Sequence, residues 1–481
     1  MKNRKVVILG IDGVSWNILE KNFEWGAMPY LKHLVGSGKV KRGYLHSTMP
    51  PMTPPAWTSI ATGVNPGKHG VYGFHRVIKR EGYFEFYLMR PYDVGYPRIH
   101  EMLYMHGLKS ITINIPLTYP PWETICRECI IVNDWMAPEL RIYPKKLESK
   151  FKDYFAKGME GHVLKSRSEE SLKMIAERAY HFADGVYELM NTIEDWNLLF
   201  VVFSEPDWVM HFNPDFVGGK RAGISAKVFS AIDGFLKKIH GEVDDIILVS
   251  DHGFTVCDEL INIPYYLKKL GLARRLLQEE TIVKVKGLTL PSWLVSFIKR
   301  HEGLKKLLLK TASKLVKKPV SIEHAVNQIP YSEARALMPE VGAIYAALGY
   351  ETEVLEALKK IPGIKTILER EEVYWGYHVD TAPDYVLMPE KPYCMYSRTD
   401  KPTIKYDTNH HPIGIVGLLS NNENIWWKDT WNTWDIVPLT LTLLGLPVPH
   451  DTDGYHANNV RRYNYYARWK IAKRAKRISK P

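Results

Sequence analysis

Asp12, Thr53, Asp207, His211, Asp251, His252 and His410 are the residues of this chain whose types and spacing suit metal-dependent hydrolysis. Each stands just before or just after a run of strand-forming residues. Asp12 closes the apolar run 5–11, and Thr53 precedes the segment 54–63. Asp207 and His211 follow the run 201–204, Asp251 and His252 follow 247–250, and His410 precedes 414–418. In open α/β sheets the ligand site lies beyond the carboxyl ends of the strands, where side chains remote in sequence converge. Three carboxylates, three imidazoles and a hydroxyl meeting there are what a two-metal hydrolase needs.

Taken singly, each residue also has a plainer reading. Asp12 before Gly13 suits an ordinary turn. The stretch from Gly10 to Ser15 lacks the third glycine of a dinucleotide loop, and an acid at its centre would repel pyrophosphate, so the carboxylate suits a cation. A threonine hydroxyl is a weak nucleophile unless a metal or a base draws off its proton. Pro54 and Pro55 stiffen the chain after Thr53 and predict a helix whose N-terminal N–H groups favour an anion. The same pattern suits Thr53 as a helix N-cap. Asp207 and His211, four apart, share one helix face and can grip one ion. Asp251 and His252 are adjacent, so on a strand their side chains diverge unless the chain bends. His411 stands beside His410, and spacing alone does not choose between them. Mixed His/Asp ligation suits zinc, with manganese or iron as alternatives.

The elements that must position these residues alternate in type. Residues 5–11 are too apolar for a half-exposed strand and suit a buried parallel one. Residues 110–115 read as another strand. Helical spacing predicts helices over 28–35, 97–106, 170–190 and 225–239, the last two feeding strands at 197–204 and 245–250. The fold class is therefore α/β, a mainly parallel central sheet sandwiched by helices with an inserted cap region. Residues 1–254 and 400–460 form the core. The pattern breaks over 255–399, with Lys-rich amphipathic stretches such as 294–300, and this segment reads as a cap or lid with returning core strands. Residues 75–110 read as a smaller insertion.

Of the net charge of +11, nine positive charges fall on residues 461–480, which hold no acid, so the rest of the chain carries +2. This basic tail, with Tyr463, Tyr465, Tyr466 and Trp469 interleaved, suits weak contact with nucleic acid or an anionic membrane. It equally suits a helix packing its aromatic side on the body. Four cysteines in 481 residues make no disulfide framework. Cys126 and Cys129 have a spacing used for zinc or redox pairs, but Cys257 and Cys394 stand singly and far away, so structural or inert thiols are expected. No apolar run approaches the ~18 residues of a spanning helix. The short apolar stretch after the basic start does not read as a secretory signal, and a cytoplasmic location is expected.

The order Asp12, Thr53, Asp207-x-x-x-His211, Asp251-His252, His410 resembles the alkaline phosphatase superfamily, in its type I phosphodiesterase/nucleotide pyrophosphatase branch. Supporting stretches are Thr62-Gly63 with His69-Gly70, Ala382-Pro383-Asp384, and Asp435 to Pro438 leading to Leu444 to Pro447. The similarity runs from about residue 5 to about residue 455. It implies two metal sites, one from Asp207, His211 and His410 and one from Asp12, Thr53, Asp251 and His252. It also implies that Thr53 becomes phosphorylated, and that the substrate is a small phosphoester. Sulfatases of the superfamily have an arginine four residues after the nucleophile; Trp57 stands there, which argues against a sulfatase. Where nucleotide pyrophosphatases place an asparagine against phosphate, this chain has Phe74, followed by His75 and Arg76. Arg76, Asn114 and Tyr119 are the other expected pocket residues. The alternatives are a phosphomonoesterase, a phosphoglycerate-mutase-like phosphotransferase, or a non-catalytic binder of nucleic acid or membrane using the tail.

Overall fold

A computed structural model describes residues 4–156, 167–273, 284–285, 288–289, 327–390, 394–396, 401–422, 424–456 and 460–478. The amphipathic stretch 294–300 and Lys480 lie outside the described residues.

Strand Val6–Ile11 is buried along its whole length. It pairs in parallel with Leu198–Phe203 on one side and Asp245–Val249 on the other. A strand apolar on both faces is stable only where both faces are covered. Its side chains accordingly alternate between two cores: Val7, Leu9 and Ile11 enter one, Val6 and Ile8 the other. Nine strands make this sheet, in the order Thr430–Asn432, Lys41–His46, Ile413–Ser420, Asp245–Val249, Val6–Ile11, Leu198–Phe203, Ser110–Ile113, Ile130–Val132 and Ile142–Tyr143. Only Ile413–Ser420 and the edge strand Ile142–Tyr143 run against the rest. The first core is closed by helices Trp16–Glu24, Pro29–Gly36, Glu169–Thr192 and Ala226–Ile239, the second by Thr53–Thr62, Ile99–Tyr104 and Ile436–Leu443. The predicted α/β sandwich and its four predicted helices are thus present.

Beside the nine-stranded sheet the described residues form smaller ones. The hairpin His75–Arg80 and Tyr83–Leu88 takes Asn327–Pro330 as its third strand. A four-stranded sheet follows, in the order Ala336–Glu340, Ala343–Ala346, Tyr385–Pro389 and Ile364–Glu369. Strands Gly253–Asn262 and Thr403–His411 lie antiparallel, with Met395–Tyr396 on the other edge of the first.

The cysteines correct the expectation of inert thiols. Cys257 is bonded to Cys394 across 137 residues, and Cys126 to Cys129, so no free thiol remains. The fold brings together two cysteines that the sequence leaves apart, and a zinc reading has no thiolate left. Disulfides persist mainly in oxidising compartments and in hyperthermophiles, a condition that any cytoplasmic placement has to meet. Among the described residues no helix is long and apolar enough to cross a membrane.

The tail forms helix Tyr465–Ile478 against the second core. Tyr465 and Trp469 are buried, and Trp469 Nε1 donates to Glu101 Oε2 at 3.1 Å. Tyr466 stacks between Tyr96 and Tyr377. The Lys473 and Lys476 ammonium groups donate to the carbonyls of Tyr92 and Trp122. Trp469→Ala should therefore lower the unfolding free energy by about 3 kcal/mol, since it empties a buried indole site and strips a donor from a buried carboxylate. Urea denaturation checks this, with hydrolysis of a soluble substrate expected to hold. A loss below about 1 kcal/mol would mean that the helix is only loosely docked.

Candidate metal centre and active site

Three adjacent parallel strands deliver most of the site at their carboxyl ends. Asp12 follows Val6–Ile11, and Gly13 turns the chain at φ +78°, a left-handed conformation that favours glycine. Its N–H donates to Asp251 Oδ1 at 3.3 Å, and the Val14 N–H donates to Ser250 Oγ at 2.7 Å. The turns after the two strands are thereby stitched together. Leu198–Phe203 runs into helix Glu205–Phe212, which carries Asp207 and His211 on one face, Oδ1 to Nε2 3.6 Å. After Asp245–Val249 the chain bends, so Asp251 and His252 do not diverge: Oδ2 and Nε2 lie 3.3 Å apart. His410 sits on Thr403–His411 opposite Phe254. His411 points elsewhere, its Nδ1 accepting from the Ile413 N–H, as alternation along a strand requires.

The ligand atoms form two overlapping groups, Asp207 with His252 and His410, and Asp12 with Asp251 and His252. His410 Nε2 lies 3.3 Å from Asp207 Oδ1, and His252 Nε2 lies 3.6 Å from Asp12 Oδ1. His211 Nε2 approaches His410 Nε2 at 2.9 Å. His252 thus bridges the two clusters, where the resemblance assigns it to one. Asp12 Oδ1, Asp207 Oδ1 and Asp251 Oδ2 are buried without any hydrogen-bond donor. Buried carboxylate oxygens are normally satisfied; three left open and facing imidazole nitrogens fit cations.

Backbone carbonyls fix the imidazoles. His410 Nδ1 lies 2.9 Å from Pro51 O, and His252 Nδ1 3.1 Å from Gly253 O. Each carbonyl places the ring proton on Nδ1 and leaves the Nε2 lone pair for the cluster. The electrostatics show crowded charge. Burial, joined by the charges of Asp251 and Asp207, pushes the Asp12 carboxyl well up. Burial, and after it the charge of Asp207, pushes Asp251 up to about 7. At Asp207 burial is outweighed by His211 and His410, which hold the carboxyl down at about 2. Burial and the neighbouring His410 push His252 well down. At His410 burial is outweighed by Asp207, and its pKa rises.

Thr53 is the first residue of helix Thr53–Thr62, with Met52 at the N-cap. Its Oγ1 lies 3.4 Å from His252 Nε2. The N-cap reading is therefore replaced by a position one residue further in. The expected cluster of N-terminal N–H groups is also reduced. Pro54 and Pro55 have none, and the Ala56 N–H already bonds Met52 O at 3.1 Å, so Thr53 supplies the turn's remaining donor. Deeper in the same layer, Ser59 Oγ bonds His69 Nε2 at 2.9 Å, both fully buried. His69 Nδ1 accepts from the Val71 N–H. This holds the helix against the His69–Gly70 turn.

The expected pocket residues scatter. Phe74 is partly buried, its ring 6.4 Å from Trp135, which in turn stands 5.5 Å from Trp208, the residue after Asp207. Arg76 donates to Gly70 O at 2.8 Å. Asn114 is buried with φ +60°; its amide donates to Val202 O and Ser204 Oγ, and its oxygen accepts from the Trp135 N–H. Tyr119 bonds Glu139 near the surface. Other residues touch the site or its supports that the sequence does not assign to it. Trp57 donates from Nε1 to Asp12 Oδ2 at 3.4 Å. The buried pair Arg178–Glu205, 2.9 Å, sits at the start of the helix bearing Asp207. Four methionines, Met49, Met52, Met388 and Met395, line an apolar cleft that reaches Asn409 and His410. No spacing rule signals such contacts, because each joins segments remote in sequence.

Comparison with known proteins follows this geometry. The family described as type I phosphodiesterase / nucleotide pyrophosphatase matches residues 6–413. No curated protein matches the chain. Among solved structures, phosphonoacetate hydrolase from Sinorhizobium meliloti is similar with a TM-score of 0.58 at 15 % identity, over 92 % of this chain and 96 % of that one. Alkaline phosphatase PafA gives 0.56 at 13 %, over 95 % and 99 %. Human ectonucleotide pyrophosphatase / phosphodiesterase 5 gives 0.52 at 14 %, over 94 % and 97 %. At these identities the likeness is one of fold.

Proposed function

Since this chain belongs to the type I phosphodiesterase/nucleotide pyrophosphatase family and is a phosphoester hydrolase, we propose that it cleaves phosphodiesters with Thr53 as nucleophile and two divalent ions as cofactors. The observation that carries this reading is the trio of donorless carboxylate oxygens on Asp12, Asp207 and Asp251, buried beside imidazole Nε2 atoms. Asp12, Asp251 and Thr53 would hold one ion and Asp207, His211 and His410 the other, with His252 within reach of both. The donor set suits zinc, and manganese or iron after it. When bound, such ions lower the pKa of a coordinated hydroxyl and offset charge on phosphoryl oxygens.

The chain's own residues do the rest. Thr53 Oγ1 forms the new bond to phosphorus, and the bond to the leaving alcohol breaks on the opposite side. The Thr53 N–H and the helix behind it favour the anionic phosphoryl group. Water then cleaves the bond between Thr53 Oγ1 and phosphorus in this adduct, which still carries the second ester group. A phosphomonoester is released, Thr53 regains its hydroxyl, and two inversions leave the configuration at phosphorus unchanged. The Pro51 and Gly253 carbonyls keep both imidazoles in one tautomer throughout.

A diester is favoured over a monoester by what surrounds the site. A monoester brings an additional negative charge, which monoesterases meet with further cations. Here Lys68 is paired with Asp453 and Arg76 is turned to a backbone carbonyl. The nearby cleft offers methionine side chains, which suit an apolar second ester group. Bis-p-nitrophenyl phosphate should be cleaved with a kcat/KM at least about tenfold above that for p-nitrophenyl phosphate, the effect of one lost charge contact. A preference for the monoester would overturn the diesterase assignment and leave the metal centre standing.

A further inference from the structure

The C-terminal helix Tyr465–Ile478 faces two ways. While Tyr465 and Trp469 are buried, Arg468, Lys470, Ile471 and Arg474 stand on the exposed side. Ile471 is 68 % exposed, more than any other large hydrophobic among the described residues. Arg468 and Lys470 lie over the rings of Tyr463 and Tyr466. No carboxylate pairs with Arg468, Lys470 or Arg474 among the described residues. Along one flank, Tyr466 and Lys473, two helical turns apart, carry the exposed rings of Tyr377 and Tyr92. The half-exposed Trp122 stands beyond them, next to Lys476.

An exposed aliphatic side chain on a basic helix, edged by tyrosine and tryptophan rings, matches what the boundary of a lipid bilayer receives. The aliphatic group enters the headgroup region, aromatic rings settle at its level, and cations meet anionic headgroups. The charge suits this: Arg468, Lys470 and Arg474 are exposed on the same side as Ile471, within a segment, 461–480, whose sequence carries nine positive charges and no acid. A nucleic acid would use the cations equally, but Ile471 can neither stack on a base nor contact a phosphate favourably. We propose that this face seats the protein on an anionic membrane surface, with Ile471 entering the headgroup boundary.

Full-length protein sedimented with vesicles tests this. It should bind phosphatidylcholine vesicles containing phosphatidylserine, not phosphatidylcholine alone, and release as salt rises. Neutralising three cations together, Arg468→Gln, Lys470→Gln and Arg474→Gln, should weaken binding by about a hundredfold. Ile471→Asp should weaken it by about tenfold or more, the scale for burying one aliphatic side chain. Hydrolysis of a soluble diester should be unchanged in both variants, which shows that they are folded. No binding to anionic vesicles at low salt, or equal binding to both vesicle types, overturns the proposal. So does salt-sensitive binding of duplex nucleic acid that Ile471→Asp leaves intact while vesicles are ignored.

Discussion

Thr53→Ala should lower turnover of an activated phosphodiester by on the order of 10³-fold or more, the scale seen when a covalent nucleophile is removed. Metal content and unfolding midpoint should barely change. A neutral hydroxyl adds little to binding a cation beside the three buried carboxylates and the imidazoles around it, and alanine fits a helix start better than threonine fits a helix interior. Asp207→Ala and His410→Ala should behave differently and lose metal, because each removes a charged or lone-pair donor from the cluster. Rapid acid quench of the wild-type enzyme during diester turnover should trap on Thr53 a phosphoryl group that still bears the second ester, readable as the corresponding mass shift of its peptide. A Thr53→Ala enzyme of near-normal rate, with no trapped adduct in the wild type, would mean that water attacks directly.

Metal removal should have an equally large effect, and its pH dependence has a definite sign. Exhaustive chelation should abolish diester hydrolysis, with zinc or manganese restoring it. Burial and mutual repulsion raise the carboxyls of Asp12 and Asp251, the latter to about 7. Incoming cations must displace those protons. Affinity should therefore fall as pH drops through about 7, and calorimetry in buffers of different ionisation heat should detect proton release. Without metal the linkage runs the other way. In the folded protein these two carboxyls keep protons that the unfolded chain sheds near pH 4, so their contribution to stability declines as pH rises from about 4 towards 7. Asp207, held down at about 2, works in the opposite sense and only below that window. Added zinc should erase the decline in melts between pH 5 and 7. Full activity after chelation, or metal uptake without proton release at pH 6, would sink the dinuclear reading.

The central sheet was readable because its strands are apolar on both faces and its helices keep a 3.6-residue repeat, as in Val6–Ile11 and Glu169–Thr192. The ligand candidates were readable because each stands at a strand end or within one helical turn of a partner. Other features depended on approach in space. Nothing local told that Cys257 and Cys394 meet, or that Asn114 spends its amide on the neighbouring strand segment. The prolines after Thr53 do stiffen the turn, yet they also remove the N–H groups that a helix start normally offers. The bend at Asp251 is set by contacts of Ser250 Oγ, which accepts from the Val14 N–H and donates to His252 O. The smaller sheets have short strands whose partners come from distant segments, such as Asn327–Pro330 beside Tyr83–Leu88.

The strands Gly253–Asn262 and Thr403–His411 act as a neck, joined side by side, and Cys257 on the first is tied to Cys394, just ahead of the short strand Met395–Tyr396 that pairs along its other edge. The chain therefore leaves and re-enters this sheet side by side. The entropy of closing such a loop grows only with the logarithm of its length. A change in the length of the segment between these strands therefore costs little in closure entropy, and the larger effect falls to its side chains that reach the site, such as Met388 and Met395 beside His410. The candidate ligands Asp251, His252 and His410 stand at one end of these paired strands, so a change in length between the strands leaves the ends that carry those ligands joined.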